Sequence, residues 1–175
     1  MSTRIETIVG DITQDQGVMA IVNAANTSLL GGGGVDGAIH KAAGPMLLEE
    51  CRKLGGCATG QAKLTLAYNL PCSFVIHTPG PRWRGGNHQE KELLKSCYQS
   101  CMQIALDNQI FSIAFPSIST GIYHFPLSEA ARIAIQTVSS FLKEHPDSFS
   151  RVVFVLFDEK TRYVYQKAIE EMVID

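Results

Sequence analysis

The chain has no long apolar stretch. Its longest purely apolar run covers only residues 152–157, far short of the ~20 residues that a membrane-spanning helix needs. Its opening residues, M-S-T-R-I-E-T, contain no apolar signal core, so the expected location is the cytosol. An excess of one charge is also missing. Fifteen Lys and Arg stand against 17 Asp and Glu, for a net charge of −2, and no basic run occurs. That speaks against an extended nucleic-acid backbone as a ligand. It also means that phosphates would be held by backbone N–H groups and helix N-termini rather than by lysines. The five cysteines, Cys51, Cys57, Cys72, Cys97 and Cys101, show neither disulfide nor metal-ligand spacing. Cys97 and Cys101 share a helical face with Leu94, Tyr98, Ile104 and Ala105, the pattern of reduced core residues.

What is present is an alternation. Short β-branched or aromatic runs at residues 4–9, 18–23, 62–67, 73–77, 111–115 and 151–157 read as strands. Helical patterns lie at 35–43, 45–54, 90–107, 127–143 and 159–172, with Pro45 suited to a first helical position and Ser128 or Asp158 suited to capping. Several strands are apolar throughout, as expected of strands covered on both faces. The pattern predicts one α/β domain over residues 1–175, built on a layered, mostly parallel sheet. Ligands of such sheets bind beyond the carboxyl ends of the strands. The chemically distinctive residues fall there: Asp11 after the first strand, Asn23 and Asn26 after the second, 117–123 after the fifth and Asp158 after the last.

The strongest local signal is L-L-G-G-G-G-V-D-G-A-I-H, residues 29–40. Four consecutive glycines leave the backbone bare, so that amides can converge on an anion beside a helix N-terminus expected at Val35. Gly32, Gly34 and Gly37 fit a G-x-G-x-x-G pattern, but not directly at a strand end, which argues against a Rossmann dehydrogenase. Asp36 reads either as a carboxylate favoured by the helix dipole or as a general base beside a phosphate loop. His40, one turn on, reads as a packed helix histidine or as a partner of Asp36. Asn23 and Asn26 are turn formers or ribose-binding amides. The stretch F-P-S-I-S-T-G-I-Y-H-F-P, residues 115–126, offers Ser117, Ser119, Thr120 and Gly121 to a phosphate, and Tyr123 and Phe125 to a sugar. Asp11 suits an adenine amino group or a turn. The other glycine-rich stretch, residues 82–87, reads simply as a loop.

Taken together and in order, G-D-I-T, I-V-N-A-A-N, L-L-G-G-G-G-V-D-G-A-I-H-K-A-A-G, H-T-P-G-P and S-I-S-T-G-I-Y resemble the motifs of the macro domain family, in particular its MacroD-type O-acetyl-ADP-ribose deacetylases. The resemblance covers essentially the whole chain. It implies a three-layer α/β/α fold with a mixed, mostly parallel central sheet whose first strand runs antiparallel to its neighbour. It implies an ADP-ribose cleft, with Asp11 and the Ile12 amide on adenine and Phe157 nearby. Gly33, Gly34 and Val35 would form the first phosphate loop, and Ser117, Ser119, Thr120, Gly121, Ile122 and Tyr123 the second. Asn26 would hold the distal ribose and share the catalytic role with Asp36, the catalytic carboxylate, acting on a water without metal or cofactor; Asn23 stands among the ligand-binding residues. The implied ligands are ADP-ribose, O-acetyl-ADP-ribose and ADP-ribosylated proteins. His124 departs from the small residue expected there and adds bulk at the rim. A non-catalytic ADP-ribose reader, an ADP-ribose 1″-phosphate phosphatase and a regulatory interaction protein are the competing readings.

Overall fold

The computed structural model describes residues 5–174; Arg4, placed by the sequence at the start of the first strand, lies outside them. In chain order the elements are β1 (Ile5–Val9), β2 (Ala20–Ala25), α1 (Gly34–Ala43), α2 (Pro45–Leu54), β3 (Lys63–Leu66), β4 (Phe74–Pro79), α3 (Glu90–Asp107), β5 (Ser112–Phe115), α4 (Leu127–Glu144), β6 (Arg151–Leu156) and α5 (Glu159–Ile174). The six strands form one sheet in the order β1-β6-β5-β2-β4-β3.

Alternation along the strands explains the two helical layers. Ala20, Val22, Ile113, Phe115, Val152, Phe154 and Leu156 face a core shared with α3, α4 and α5. Their neighbours Ile21, Ala25, Ala114, Val153 and Val155 face a second core closed by α1 and α2. A strand buried on both faces needs apolar residues at every position, hence the unbroken V-V-F-V-L. The three-helix side takes the bulk: Phe115 and Phe154 stack at 5.3 Å, with Tyr98 and Tyr165 against them. The cysteines fill these cores. Burial pushes the thiols of Cys51 and Cys97 up to about 11, so they are poor nucleophiles.

The sheet is mixed, but not through its first strand. β1 pairs parallel with β6, and it is β3 that runs antiparallel, against β4. Residues 67–73 join β3 to β4 without a helix, and so short a link suits an antiparallel pair. β1 and β6 come from opposite ends of the chain, so no short link constrains their direction. The five parallel strands therefore deliver their carboxyl ends to one edge. Two capping expectations divide. Asp158 caps α5 by accepting from Thr161 N–H at 2.8 Å, whereas α4 begins after Pro126 with no side-chain cap, so Ser128 lies within the helix. Among the described residues no helix is long and apolar enough to cross a membrane.

Candidate active site

Gly33 is the N-cap of α1, and the helix begins one residue earlier than its apolar pattern, at Gly34. Gly31 and Gly34 have φ of +93° and +60°, a region that glycine enters without strain. They turn the chain so that Asp36 comes down inside the fold, only 4% exposed. Asn23 is not beyond the second strand but within it and fully buried. Its side-chain N–H donates to Asp36 Oδ1 at 2.9 Å, and the same nitrogen lies 3.1 Å from His77 Nδ1. His77, on β4, reaches Thr65 Oγ1 on β3 through Nε2 at 2.9 Å. If Asn23 gives one hydrogen to each partner, His77 accepts at Nδ1 and donates from Nε2. A polar chain thus runs under the sheet edge from Asp36 to Thr65. Burial, followed by the charge of His40, depresses His77 to about 3, so the ring stays neutral.

Asp36 is pulled three ways. Burial raises its pKa and prevails, while the Asn23 hydrogen bond and the nearby His40 lower it. His40 is not the self-satisfied helix histidine expected. Its Nε2 lies 3.4 Å from Asp36 Oδ1, an ion-pair distance, and neither ring nitrogen makes a hydrogen bond.

Asn26 follows β2 and staples the glycine loop. Its Nδ2 donates to Gly31 O at 2.7 Å, and its Oδ1 accepts from Ser28 N–H and Leu29 N–H at 3.1 Å each. One Nδ2 hydrogen remains for another partner. A Cβ on Gly32 would come within 3.2 Å of Asp36 Oδ2 and 3.4 Å of Asn26 Nδ2. The bare α-carbon of Gly32 therefore keeps open the space where the two side chains converge. A Cβ on Gly33 or Gly34 would meet nothing within 4 Å.

The second loop, 117–125, is braced internally. Ser117 Oγ lies 2.6 Å from Thr120 Oγ1 and 2.7 Å from Tyr165 OH. The side chains of Ser117 and Thr120 are thus occupied. No hydrogen bond among the described residues engages the N–H groups of residues 119–122. Ile122, 73% exposed, projects from the rim. Phe125, expected over a sugar, is instead buried against Trp83, with ring centroids 4.9 Å apart. At the far end of the edge Asp11 Oδ1 closes a turn, accepting from Thr13 N–H at 2.9 Å and Thr13 Oγ1–H at 2.6 Å. These two bonds hold its pKa down. The Ile12 side chain is buried. Phe157, just past β6, is 76% exposed and leaves an apolar ring at this end.

A model of the macro domain matches residues 22–134. The chain belongs to the macro domain family. It is 58% identical to a macro domain-containing protein of Chlorobaculum tepidum, over 94% of this chain and 95% of that one. It is 50% identical to an O-acetyl-ADP-ribose deacetylase of Salmonella typhimurium, over 98% and 97%. Among solved structures it resembles an Oceanobacillus iheyensis macrodomain variant with ADPR, at a TM-score of 0.94 and 42% identity, covering 99% of this chain and 96% of that one.

In this macro domain a third loop, residues 80–90, walls the site, where the sequence had indicated only a loop over residues 82–87. Trp83 N–H donates to Tyr123 O at 2.9 Å, and the Arg82 guanidinium sits 5.0 Å over the Tyr123 ring. The buried Glu90 carboxylate accepts from Arg84 N–H at 2.9 Å, from Gly86 N–H at 2.8 Å and from His88 N–H. Burial alone would raise its pKa, but these backbone donors outweigh it and hold the group down at about 2. The signals for this loop were the chain's one tryptophan, beside Gly85 and Gly86, and an acid two residues past His88.

Proposed function

We propose that this macro domain binds ADP-ribose and hydrolyses an acyl ester on its distal ribose, with O-acetyl-ADP-ribose as the reference substrate. The observation that carries the reading is Asp36. It is a buried carboxylate with a raised pKa, held by Asn23 and His40 beside the gap kept open at Gly32. A surface carboxylate that merely answered the helix dipole would not need that support. A general base works best as its pKa approaches the working pH, and burial moves Asp36 in that direction.

The unpaired N–H groups of the α1 N-terminus and of residues 119–122 suit the two phosphates. Phe157 and the Ile12 N–H suit adenine. Asn26, through its remaining Nδ2 hydrogen, holds a ribose hydroxyl. Asp36 takes a proton from a water, and the water oxygen bonds to the ester carbonyl carbon. The carbon–oxygen bond to the ribose then breaks, and the departing ribose oxygen takes a proton. The products are a carboxylic acid and the free hydroxyl. The relatives named O-acetyl-ADP-ribose deacetylase and the structure with ADPR support this assignment.

The test is turnover of O-acetyl-ADP-ribose by the wild type and Asp36→Ala, together with ADP-ribose titration of both. The expected loss in rate is roughly 10²–10⁴-fold, with binding kept because the backbone amides remain. Full activity in Asp36→Ala would refute the role. An inactive wild type that still binds ADP-ribose would leave a reader.

A further inference from the structure

Asn23, His77 and Thr65 form a line of polar side chains on a sheet face that is otherwise apolar. Asn23 and His77 stand opposite each other in the parallel β2–β4 pair, and Thr65 lies on β3 diagonally across from His77. Their neighbours on that face, Ile21, Ala25 and Val75, belong to the core closed by α1 and α2. Asn23 and His77 are fully buried and Thr65 is only 2% exposed, so His77 and Thr65 have no surface to offer a ligand. Apolar side chains would fill this space without the cost of burying polar groups, and Asn23 Oδ1 is left with no partner. Packing alone does not account for the line.

The hydrogens along it follow from the Asp36 end. Asn23 turns one amide atom toward both Asp36 Oδ1, at 2.9 Å, and His77 Nδ1, at 3.1 Å. Were that atom the oxygen, it would meet a carboxylate as acceptor against acceptor. A charged Asp36 therefore requires the nitrogen there, which in turn requires a lone pair on His77 Nδ1. The ring proton is then on Nε2, and Thr65 Oγ1, 2.9 Å away, accepts it. The other neighbour of Nε2 is Cys51 Sγ at 3.9 Å, a weaker acceptor. With the proton on Nδ1 instead, the amide would have to turn over and Asp36 would lose its donor. The two oxygens of Asp36 are consequently unlike. Oδ1 has Asn23 and, at 3.4 Å, His40 Nε2. Oδ2 makes no hydrogen bond among the described residues and faces the gap at Gly32.

We infer that Thr65 and His77 are positioning residues for the hydrolysis: Thr65 sets the tautomer of His77, the ring sets the amide of Asn23, and the amide holds Oδ1 of Asp36 so that Oδ2 takes the proton from water. This rests on the proposed ester hydrolysis and names the residues that prepare its base. No proton travels along the line; it moves only from the water to Oδ2. The other ionisable groups around Asp36 and His77 are His40 on α1 and Cys51 on α2. The Cys51 thiol, pushed up to about 11, keeps its proton throughout the range tested, and His40 is common to every variant.

The experiment measures turnover of O-acetyl-ADP-ribose from about pH 5 to 8 in the wild type, Thr65→Val and Thr65→Ser. ADP-ribose titration of each and nitrogen NMR of the wild-type imidazoles accompany it. Valine keeps the shape of threonine and loses the hydroxyl; serine keeps the hydroxyl and loses the methyl. Thr65→Val should lower kcat about three- to tenfold, the worth of one hydrogen bond, with KM and ADP-ribose affinity kept. The acid limb of its rate profile should move upward in pH, because Asp36 loses a donor that holds its pKa down. Thr65→Ser should keep both rate and profile. His77 should carry its proton on Nε2. A proton on Nδ1, a wild-type rate and profile in Thr65→Val, or an equal loss in Thr65→Ser would each overturn the inference and leave the deacylase standing. Should Thr65→Val fail to fold, the nitrogen spectrum of the wild type decides. A wild type that turns over no O-acetyl-ADP-ribose would bring down both.

Discussion

The two loops that face each other across the sheet edge are built in opposite ways. The glycine loop is held by backbone conformation and by two asparagines beneath it: Asn26 staples Gly31, and Asn23 links Asp36 to His77. The serine loop is held by hydroxyls and rings from the three-helix side, with Ser117 on Tyr165 and Phe125 on Trp83. The first loop therefore carries a carboxylate in an adjustable electrostatic setting. The second presents bare N–H groups on a neutral brace. The N–H groups of the α1 N-terminus lie beside that carboxylate, whereas those of residues 119–122 sit on a brace that carries no charge.

Acid should break the symmetry of support first. His77 is held at about 3, against an ordinary 6.5. Between those values the unfolded chain binds a proton that the folded chain refuses. Stability from His77 is thus fully present above pH 6.5 and lost as the pH falls toward 3, by on the order of a few kcal/mol. Asp36, raised, has the opposite sign just above its ordinary 3.8 and offsets a part. The phenol of Tyr165 is pushed up to about 12 by burial, so the brace of the serine loop does not titrate in acid. Denaturant unfolding at about pH 7, 5 and 4 should show stability falling, with a shallower fall in His77→Gln. Hydrogen exchange should show the amide of Gly37 and those of the following turn of α1 losing protection before those of Ile118, His124 and Phe125. Equal slopes in the two proteins would remove His77 from the account.

Overpacking should separate the loops next. A Cβ on Gly37 would overlap Gly32 O, a backbone atom that can yield only if the glycine loop moves. A Cβ on Gly80 would overlap Ser119 Oγ and crowd Ile118 Cγ2, both side-chain atoms. Each alanine should cost roughly 1–3 kcal/mol, read as a lower Tm. Turnover per folded molecule should fall further in Gly37→Ala, because Gly32 borders Asp36. Equal activity losses would mean that both loops are positioned by the same contacts.

Much of this was legible from sequence for a physical reason. Strands buried on both faces are apolar at every position, so all six expected strands and all five helices lie within two residues of their positions; the second strand starts and ends two residues later than its pattern. The direction of β1 was not legible, since pairing between chain ends leaves no local mark. Asn23 was assigned to a ligand, but an asparagine inside a buried strand must find its partners within the fold, and it found Asp36 and His77. The third loop escaped because Glu90, its organiser, reads as an ordinary first-turn acid of α3 until three backbone donors are seen to converge on it. Asp36 could be named but not weighed: burial, which raises its pKa, depends on the whole fold.

The smallest effect on stability should come where the loops are open. Gly33 has φ of −94°, and neither it nor Gly121 has any atom within 4 Å of an added Cβ. Gly33→Ala and Gly121→Ala should therefore stay within about 0.5 kcal/mol of the wild type. A methyl group at either position stands on the surface over which phosphates would lie, so ADP-ribose affinity should fall, by roughly tenfold if one phosphate must shift, which corresponds to ~1.4 kcal/mol. Gly33, three residues before Asp36, should also lose turnover; Gly121 should lose affinity with the rate at saturation kept. Calorimetric titration and saturation kinetics on the two variants check this. A large drop in Tm would mean that the loops are packed rather than open. Unchanged affinity in both would mean that the ligand lies elsewhere on the edge.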